Sequence, residues 1–536
     1  MKNILIAIRS IFKKGRHNVM KIVSLGIGLA VGLVLIAKVY FEQSYDDFYP
    51  DRDRVYQVWA KYQQNGGELK DYPQTSGGIA PTMQQQIPEI ETVTRYTSFG
   101  DWTFTMTDTK MKYSGRCIIA DSCFFDILPR PMLIGNAKEV LSTPMYVLVS
   151  SRIAKNIGGD VIGKNFTVDS SPGRTMTIGG VFEEVPENSH SRYDVIVSMA
   201  SAGRFMWEGS PTNMLGNDRY ISYVKLHKGV NPLALEEQVH TFVNSYFPPE
   251  EQQKTGFNIG FSFHELDGLH KELPQVKRMT WILSLLAFAL IFTAVMNYIL
   301  IVISSIVNRS KEVAVHKCYG ASENNIHGMM FGEALVHIVL SLILALLLIL
   351  AFRGTVEELL ATSLDSLLLS NGSLVLLGIC ILVFFVSGFM PGSLYARIPV
   401  ASAFRNYREN KRIWKKALLL VQFVATGFLV TMLVFVARQY TFMVNDRPGY
   451  AYENLAYCGL AGVDSTSRAK ILDEVMRLPG VVAATTVYQL PFEHASGNNI
   501  LLPGETQELF NIADLYWVGN GYLDMMEIPV IQGRSF

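Results

Sequence analysis

The segment at residues 158–165, GGDVIGKN, differs at one position from the phosphate-binding loop G-x-x-x-x-G-K-[ST]. In that loop, backbone N–H groups hold phosphates and the final hydroxyl ligates Mg²⁺. Asn165 places an amide where the metal needs the hydroxyl. A helical pattern at 151–157 precedes the glycines and a strand pattern at 165–170 follows, which reverses the order that the motif requires. We therefore predict a glycine-rich turn here and no nucleotide site.

Two other groups of reactive side chains also lack the geometry of a catalytic site. HELDGLH at 264–270 begins like a zinc-protease motif, but Gly268 stands where the second metal-binding His is required. Cys117 and Cys123 lie close together in the sequence, and both a disulfide and free thiols are compatible with that spacing. We therefore expect no catalytic residues, no metal site and no enzyme activity.

The composition indicates a membrane protein. The 536 residues are 49% hydrophobic and 18% charged, with a formal net charge of zero. This balance is more apolar than that of ordinary soluble proteins, and it provides no general attraction to nucleic acid. Five apolar segments are long enough to cross a bilayer as helices, which takes roughly 20 residues. These segments lie at residues 20–41, 279–307, 327–352, 374–396 and 417–437.

Basic residues set the expected orientation of these segments. Lys and Arg are concentrated at 1–19, 308–326 and 397–416, which the positive-inside rule places in the cytoplasm. Residues 353–373 then form a short outer loop, and residues 42–278 form a large outer domain. The chain should therefore begin in the cytoplasm and expose most of its polar residues on the other side.

The outer segment has the patterns of a folded domain. Residues 175–182, TMTIGGVF, and 220–226, YISYVKL, alternate like strands, whereas 231–247 has the periodicity of a helix. A mixed domain with its own core follows from this combination. The sequence thus predicts a multi-pass α-helical membrane protein with large mixed α/β extracytoplasmic domains.

Parts of the outer sequence are similar to each other. FFDILPRPMLIG at 124–135 aligns with YLDMMEIPVIQG at 522–533. IPEIETVT at 87–94 aligns with LPGVVAAT at 478–485 at a similar offset. The fifth apolar segment follows the first at a similar offset as well. We therefore predict two copies of one unit. Residues 438–536 would be an incomplete second outer domain, and we expect a complete version to continue through three more spans.

Small and polar residues within the apolar segments suggest how the helices pack. Ser24, Gly28 and Gly32 form a small-xxx-small stripe, which suits close helix packing within the chain or in a homodimer. Asn297 lies midway along the second segment, where a polar side chain can bind a neighbouring helix. We expect these four residues to act in helix packing.

Ionisable residues are few within the apolar segments. Glu333 and His337 lie one turn apart in the third segment. Because no chain of ionisable partners accompanies them, we expect a structural role rather than a proton or substrate path. Glu333 near the inner end and Lys38 near the outer end should extend their charged groups to water.

The cytoplasmic segment at 308–326, NRSKEVAVHKCYGASENNI, predicts a short helix over residues 309–319. Gly320 is suited to end that helix, and Lys317 places a cation near its negative end. Ser322 is suited to cap the next helix. From these residues alone two interpretations stay open, a helix that binds a partner or a basic turn that only fixes topology.

The segment KEVAVHKCYGAS at 311–322 resembles the cytoplasmic loop of the FtsX/MacB-type permeases of ABC transporters. In that family a charged helix containing Arg/Lys-Glu is followed by Lys-x-x-Gly-Ala-Ser. His316 and Cys318 depart from the residues more common there, which are Arg or Ile and Ala or Leu. Further segments also resemble the duplicated, eight-span members of the family, namely MNYILIVISSIVNRSKEV at 296–313, GFMPGSLYARIPVASAFR at 388–405, KKALLLVQFVATGFLV at 415–430 and GGVFEEVPENSH at 179–190.

The resemblance implies a partner and a mechanism. Such permeases bind no nucleotide themselves and pair with a separate ABC ATPase, which holds ATP and Mg²⁺. The loop helix would dock on that ATPase and transmit its closure through the spans to the outer domain, a mechanism called mechanotransmission. The residues implied in this coupling are Lys311, Glu312, Val313, Val315, His316, Lys317, Cys318, Tyr319, Gly320, Ala321 and Ser322.

The resemblance also implies a location and further partners. The chain would lie in the bacterial inner membrane, with residues 42–278 as a MacB-like periplasmic core domain. The amphipathic basic segment at 1–19 would lie along the inner surface. A homodimer and a periplasmic adaptor or envelope partner are compatible with this arrangement. The alternative function is a membrane sensor or scaffold whose outer domain regulates an envelope enzyme without transport.

Overall fold

The structure is a computed structural model of the chain. The basic segment predicted at 1–19 lies almost entirely outside the described residues, as does most of the linker at 397–416. The structure describes residues 17–64, 67–169, 171–216, 218–369, 372–400, 413–445, 449–460, 463–491, 496–503 and 508–535.

Five helices in the described ranges are long and apolar enough to cross a membrane. They are α1, α10, α12, α15 and α16 of the following set. The helices are α1 (Asn18–Gln43), α2 (Ile79–Gln86), α3 (Phe124–Ile127), α4 (Ala137–Ser142), α5 (Ser151–Ile157), α6 (Ala202–Phe205), α7 (Glu236–Tyr246), α8 (Pro249–Thr255), α9 (Gly268–Lys271), α10 (Pro274–Ser304), α11 (Ile306–Cys318), α12 (Glu323–Ala351), α13 (Arg353–Leu360), α14 (Leu364–Leu368), α15 (Ser373–Ala396), α16 (Ile413–Asn445), α17 (Ser465–Met476) and α18 (Tyr522–Met525).

The long helices differ from the predicted apolar segments mainly at their ends. Helix α10 ends at Ser304, short of the predicted residue 307, because Ser305 leaves helical geometry with ψ near 0°. The Ser305 hydroxyl donates to the carbonyl of Val302 at 2.6 Å, which satisfies one of the last carbonyls of the helix. Helix α16 continues to Asn445, beyond the predicted end at residue 437. Hydropathy locates the apolar centre of a helix and leaves its polar turns undetected.

Helices α1, α10, α12 and α15 share one apolar core. Leu25 and Leu29 of α1 are fully buried, and so is Ile299 of α10. Tyr298 and Tyr395 are also buried there, with their hydroxyl groups bonded to other side chains or to backbone. This core fixes the first four long helices relative to one another.

The outer domain is built on a single mixed sheet of strands β1 to β11. Its order is β11-β1-β10-β3-β4-β9-β6-β8-β5, with β2 beside β1 and β7 beside β3 and β8. The β4–β9 and β6–β8 pairs are parallel. The strands are β1 (Val55–Gln64), β2 (Lys70–Tyr72), β3 (Ile90–Met106), β4 (Lys112–Ala120), β5 (Met132–Ile134), β6 (Tyr146–Ser150), β7 (Asn165–Val168), β8 (Ser171–Phe182), β9 (Val195–Ser198), β10 (Ile221–Leu226) and β11 (Phe257–Glu265).

The segment GGDVIGKN joins helix α5 to strand β7, in the order that its flanks predict. Ser150 caps α5 by accepting the N–H of Ile153 at 3.3 Å. Gly158, Gly159 and Gly163 all have positive φ, which side chains other than glycine rarely adopt. These glycines therefore serve the turn.

A second compact unit contains Val168–Arg174 and Gly427–Phe536. Among its described residues, strands β12 (Ser496–Leu501) and β13 (Glu508–Leu515) pair as an antiparallel hairpin. The aligned repeat segments have similar local structure in the two units. Each begins with a short helix, α3 or α18, and the glycines that end them, Gly135 and Gly533, have φ of 85° and 93°.

Candidate functional site

Helix α11 lies in the segment that the sequence predicts as a partner-binding loop. The helix ends because Gly320 adopts φ 88°, a left-handed conformation that favours glycine. The N–H of Gly320 donates to the carbonyl of Lys317 at 3.0 Å. Ser322 then caps α12, since its hydroxyl oxygen accepts the N–H of Asn325 at 3.4 Å. Two helix ends and a tight turn thus fix the position of α11.

The two faces of α11 have different surroundings. Val313 and Ala314 are each 1% exposed, whereas Val315 is 43% and Tyr319 89% exposed. Lys311, Val315 and Tyr319 are spaced four residues apart and therefore lie along one side of the helix. We call these three residues the exposed ridge. Of the other residues predicted for coupling, His316, Cys318, Gly320 and Ser322 are exposed, and Glu312, Lys317 and Ala321 are partly buried.

Lys317 connects α11 to the end of α15. Its ammonium group donates to the carbonyl oxygens of Ala396 and Ile398 at 2.6 and 2.9 Å. Lys317 lies in the last turn of its own helix, as the sequence predicts, and its ammonium group also reaches the C-terminus of another helix. The negative end of the α15 dipole stabilises it there. This contact joins residues about 80 positions apart in sequence, so periodicity could not reveal it.

Tyr395 makes a second connection, at the start of α11. Its hydroxyl donates to the carbonyl of Val302 at 3.0 Å and lies 3.2 Å from the hydroxyl of Ser305. Val302 and Ser305 lie at the junction between α10 and α11. Sequence reasoning missed this residue, because an aromatic residue near a helix end most often marks the membrane interface.

Glu333 is buried and paired with a cation. Its carboxylate lies 3.4 Å from the ammonium group of Lys21 on α1, and the two side chains are 7% and 1% exposed. Lys21 also donates to the side-chain oxygen of Asn18 at 3.2 Å. The expectation that Glu333 extends to water is therefore wrong. A buried carboxylate is stable where a partner charge compensates it.

His337 has a neutral hydrogen-bonding partner. Its Nδ1 lies 3.2 Å from the hydroxyl of Tyr298 on α10, and its ring is 1% exposed. The two residues join α12 to α10 inside the shared core. Asn297, the neighbour of Tyr298, is partly buried.

The small-residue stripe of α1 faces other helices of the same chain. A Cβ added to Gly28 would lie 2.2 Å from the Cβ of Ala294, and one added to Gly32 would lie 2.4 Å from Ile291. Both neighbours belong to α10, so the two glycines allow α1 and α10 to approach closely. Ser24 is partly buried, and its hydroxyl donates to a carbonyl of its own helix.

Lys38 binds other residues at the outer end of α1. Its ammonium group lies 2.7 Å from the Glu42 carboxylate and donates to the Thr362 hydroxyl at 2.8 Å. The other Glu42 oxygen lies 2.6 Å from Nε2 of His270. Lys38 is 7% exposed, so the expectation that it extends to water is wrong. This cluster links α1, α9 and the turn after α13.

The segment after α1 is bound to residues 188–190 of the outer domain. The side-chain amide of Asn188 donates to the carbonyl of Ser44 at 2.6 Å. Asp46 is fully buried and accepts the hydroxyl of Ser189 at 3.0 Å. These contacts give a structural role to the Asn-Ser-His part of the segment GGVFEEVPENSH. The sequence alone indicates no role for these residues.

His190 extends this junction into the sheet. Its Nδ1 lies 2.7 Å from the Asp46 carboxylate, and its Nε2 binds the hydroxyl of Tyr223 on β10. Burial raises the pKa of Tyr223 well above its ordinary value, so the hydroxyl keeps its proton. Tyr223 in turn stacks near Tyr96 of β3. We call Asp46, His190 and Tyr223 the junction relay.

In the part of the chain that the structure describes, the remaining reactive groups form no recognisable site. Cys117 and Cys123 are free thiols, with Cys117 buried and the thiol of Cys123 donating to the carbonyl of Val93 at 3.1 Å. Among the described residues, no group of three or more His, Cys, Asp or Glu side chains is arranged to bind a metal ion.

Comparison with known families identifies the class of protein. Residues 20–242 match the model of the MacB-like periplasmic core domain. Residues 284–400 match the model of the FtsX-like permease C-terminal region. The two matches together cover more than half of the chain, and they fit its five long apolar helices and mixed outer domain. The chain belongs to the FtsX/MacB-type permeases of ABC transporters, which confirms the resemblance of its loop.

Solved structures that are similar cover the outer domain. A domain assigned to a permease protein from Porphyromonas gingivalis is 32% identical over 40% of this chain and 91% of its own, with a TM-score of 0.38. The periplasmic region of MacB from Actinobacillus actinomycetemcomitans is 16% identical over 41% and 92%, with a TM-score of 0.27. The extracellular domain of the transporter YknZ from Gram-positive bacteria is 10% identical over 38% and 98%, with a TM-score of 0.28. No curated protein matches the chain.

Proposed function

We propose that this permease couples ATP hydrolysis by a separate ABC ATPase to conformational work by its outer domain on a periplasmic substrate. The observation that carries the proposal is the exposed ridge of α11. Its apolar residues Val315 and Tyr319 face away from the helical core on a helix fixed at both ends. Exposed apolar groups on an ordered helix are suited to bind a partner protein.

The ridge has the composition of a small protein interface. Tyr319 offers a large aromatic side chain, the type of residue that often dominates binding energy. Lys311 at the other end of the ridge and His316 next to it are exposed and would form a polar rim. The partner would supply ATP and Mg²⁺, and this chain would bind no nucleotide. Val313 would support the ridge from the buried face.

Contacts at both ends of α11 would transmit its movement to the neighbouring helices. Lys317 binds the end of α15, and Tyr395 binds the junction of α10 and α11. Displacement of α11 would therefore move α10 and α15 together. Through the close approach of α1 to α10 and through the junction relay, the same displacement would reach the sheet. Coupling also requires that these elements have two discrete arrangements. ATP binding to the partner would shift the equilibrium toward one of them.

The location follows from the same proposal. The loop must face the cytoplasm, where the ATPase finds ATP, so the outer domain would lie in the periplasm and the N-terminus in the cytoplasm. The membrane would be the bacterial inner membrane. A homodimer or a periplasmic adaptor could complete the assembly, and each would use surfaces outside the exposed ridge.

The test is co-purification in detergent with the ABC ATPase subunits of the same organism. The variant carries Val315→Asp and Tyr319→Ala, which remove the apolar part of the ridge. Its matched control carries Val482→Asp and Tyr457→Ala, two residues that are 94% and 79% exposed and that the predicted topology places on the opposite side of the membrane. We expect the variant to bind an ATPase at least about tenfold more weakly, as expected for loss of an aromatic interface anchor, and the control to bind normally.

The outcome separates the two functions considered for this chain. If the native chain captures no ATPase, or if the ridge variant binds as well as the control, coupling through α11 is excluded. A sensor or scaffold that acts through the outer domain alone then replaces it.

A further inference from the structure

A cavity of about 340 Å³ lies where the outer ends of α1 and α10 meet the outer domain. Its walls come from five parts of the chain: the end of α1, α9, the start of α10, the segment 187–192 and the turn at 361–362. Cavities that bind small ligands begin at about this volume. No function described above uses it.

Most of the charges at this cavity are satisfied by one another. Lys38, Glu42 and His270 form the hydrogen-bonded cluster described above. The His270 ring also stacks on Tyr45, with ring centroids 3.5 Å apart. These groups are therefore part of the wall rather than free to bind a ligand.

Two charged residues of opposite sign are left to face the cavity. Glu187 accepts the backbone N–H of Ser363 with one oxygen at 3.0 Å, which leaves its other oxygen available. Arg192 lines the cavity, is exposed and forms no ion pair or hydrogen bond within the described part of the chain. Glu187 and Arg192 do not pair with each other. The cavity thus presents one anion and one cation at separate positions.

The rest of the lining and the position of the cavity indicate a lipid. Phe41, Val276 and Met279 give it an apolar side next to α1 and α10. Tyr45 lines the same cavity, and Trp281, two residues after Met279 on α10, is 78% exposed. Exposed aromatic residues at the ends of membrane helices mark the level of the lipid headgroups. A ligand here would have a polar group and an adjoining apolar chain.

We infer that this cavity binds a phospholipid with a zwitterionic headgroup that carries a primary amine. The Arg192 guanidinium would bind the phosphate, for which its planar set of donors is suited. The free Glu187 oxygen would accept a hydrogen bond from the ammonium group. The first part of an acyl chain would lie along Phe41, Val276 and Met279. The inference depends on these helices lying in a bilayer and is independent of ATPase binding.

The charges select this headgroup over its alternatives. A phosphoglycerol headgroup would place neutral hydroxyl groups near Glu187, which can donate hydrogen bonds but leave the carboxylate charge uncompensated. A trimethylated ammonium group carries no N–H to donate. A primary ammonium group satisfies Glu187, while the phosphate satisfies Arg192, so the headgroup neutralises both residues.

The test measures the phospholipids that the full-length chain retains after delipidation in detergent and incubation with vesicles of equal phosphatidylethanolamine and phosphatidylglycerol. Bound lipid is quantified by mass spectrometry. We expect the native chain to enrich phosphatidylethanolamine. Arg192→Gln should lower its retention by about tenfold, as expected for loss of a hydrogen bond between charged groups. Glu187→Gln, which keeps an acceptor for Ser363, should abolish the preference between the two lipids.

Arg278→Gln is the matched control, because Arg278 is an exposed Arg on the first turns of α10 that does not line the cavity. It should retain lipid like the native chain. Equal loss in this control, unchanged lipid in the Arg192 and Glu187 variants, or no preference in the native chain would each overturn the inference. Soluble phosphoethanolamine is added in a parallel arm. Full displacement of the lipid by an equal concentration of this compound would show that the site takes a free zwitterion and would overturn the assignment to lipid.

Discussion

Lys21, Lys38 and Glu333 are charged side chains inside apolar helices, and each is buried against a polar partner. Each partner lies on another helix or on another turn, so the pairing depends on how the helices pack. A buried ion pair adds little net stability, but removing one member leaves an uncompensated charge. These residues therefore make the helix arrangement specific more than they make it stable.

The pair Lys21 and Glu333 should therefore respond differently to single and double substitution. Lys21→Met should destabilise the chain by about 3 kcal/mol, the cost typical of breaking a buried pair, because Glu333 loses its cation. The double variant Lys21→Met with Glu333→Leu should recover most of that loss. Thermal unfolding in detergent measures both. A single variant as stable as the native chain would contradict the buried pairing.

His190 is the central residue of the junction relay. His190→Ala removes its bonds to Asp46 and Tyr223, and it leaves the fully buried Asp46 without its ring partner. Asp46 keeps the Ser189 hydroxyl, so we expect a loss of about 2 to 3 kcal/mol in the stability of the outer domain, as for the loss of a hydrogen bond to a buried charged group. His227→Ala, at an exposed His of the same domain, is the control. Equal stability of the two variants in thermal unfolding would show that the relay does not fasten the domain.

At the scale of elements, the close contact between α1 and α10 depends on glycine. Gly28→Ala would place a methyl group 2.2 Å from Ala294, so the helices must separate. We expect a loss of about 1 to 3 kcal/mol from this overpacking. Gly378→Ala on α15 is the matched control, because its Cβ meets nothing within 4 Å. Thermal unfolding of the two variants should differ clearly, and similar values would contradict the packing of α1 on α10.

The sequence predicts the elements better than it predicts their contacts. The long apolar helices and the turn at Gly320 depend on local properties, which are hydropathy, length and caps. Lys317 lies in the last turn of its own helix as predicted, but its bond to α15 was not predicted, and Glu333 and Lys38 were expected to reach water. Their partners come from distant parts of the chain and could be identified only once the helices had packed. Tyr395 carried no local signal at all.

At the scale of the whole molecule, the predicted repeat would account for the two folded regions that lie outside the long helices. Gly135 and Gly533 adopt the same left-handed backbone at equivalent positions, each after a short helix. Such agreement in local structure supports the alignment of the two segments, since a glycine at that position serves the same turn twice. The proposed coupling would give this unit a direction, from an ABC ATPase at α11 to the outer domain.

If the permease couples ATP hydrolysis to work by its outer domain, movement of α11 must reach that domain. Hydrogen–deuterium exchange of the complex with its ATPase, with and without ATP, tests this most directly. We expect ATP to change exchange in residues 188–191 and in strand β10, where the junction relay lies. The variant with Val315→Asp and Tyr319→Ala should lose that change, and the control with Val482→Asp and Tyr457→Ala should keep it. An ATPase that binds and hydrolyses ATP while exchange at these residues stays constant would contradict the account.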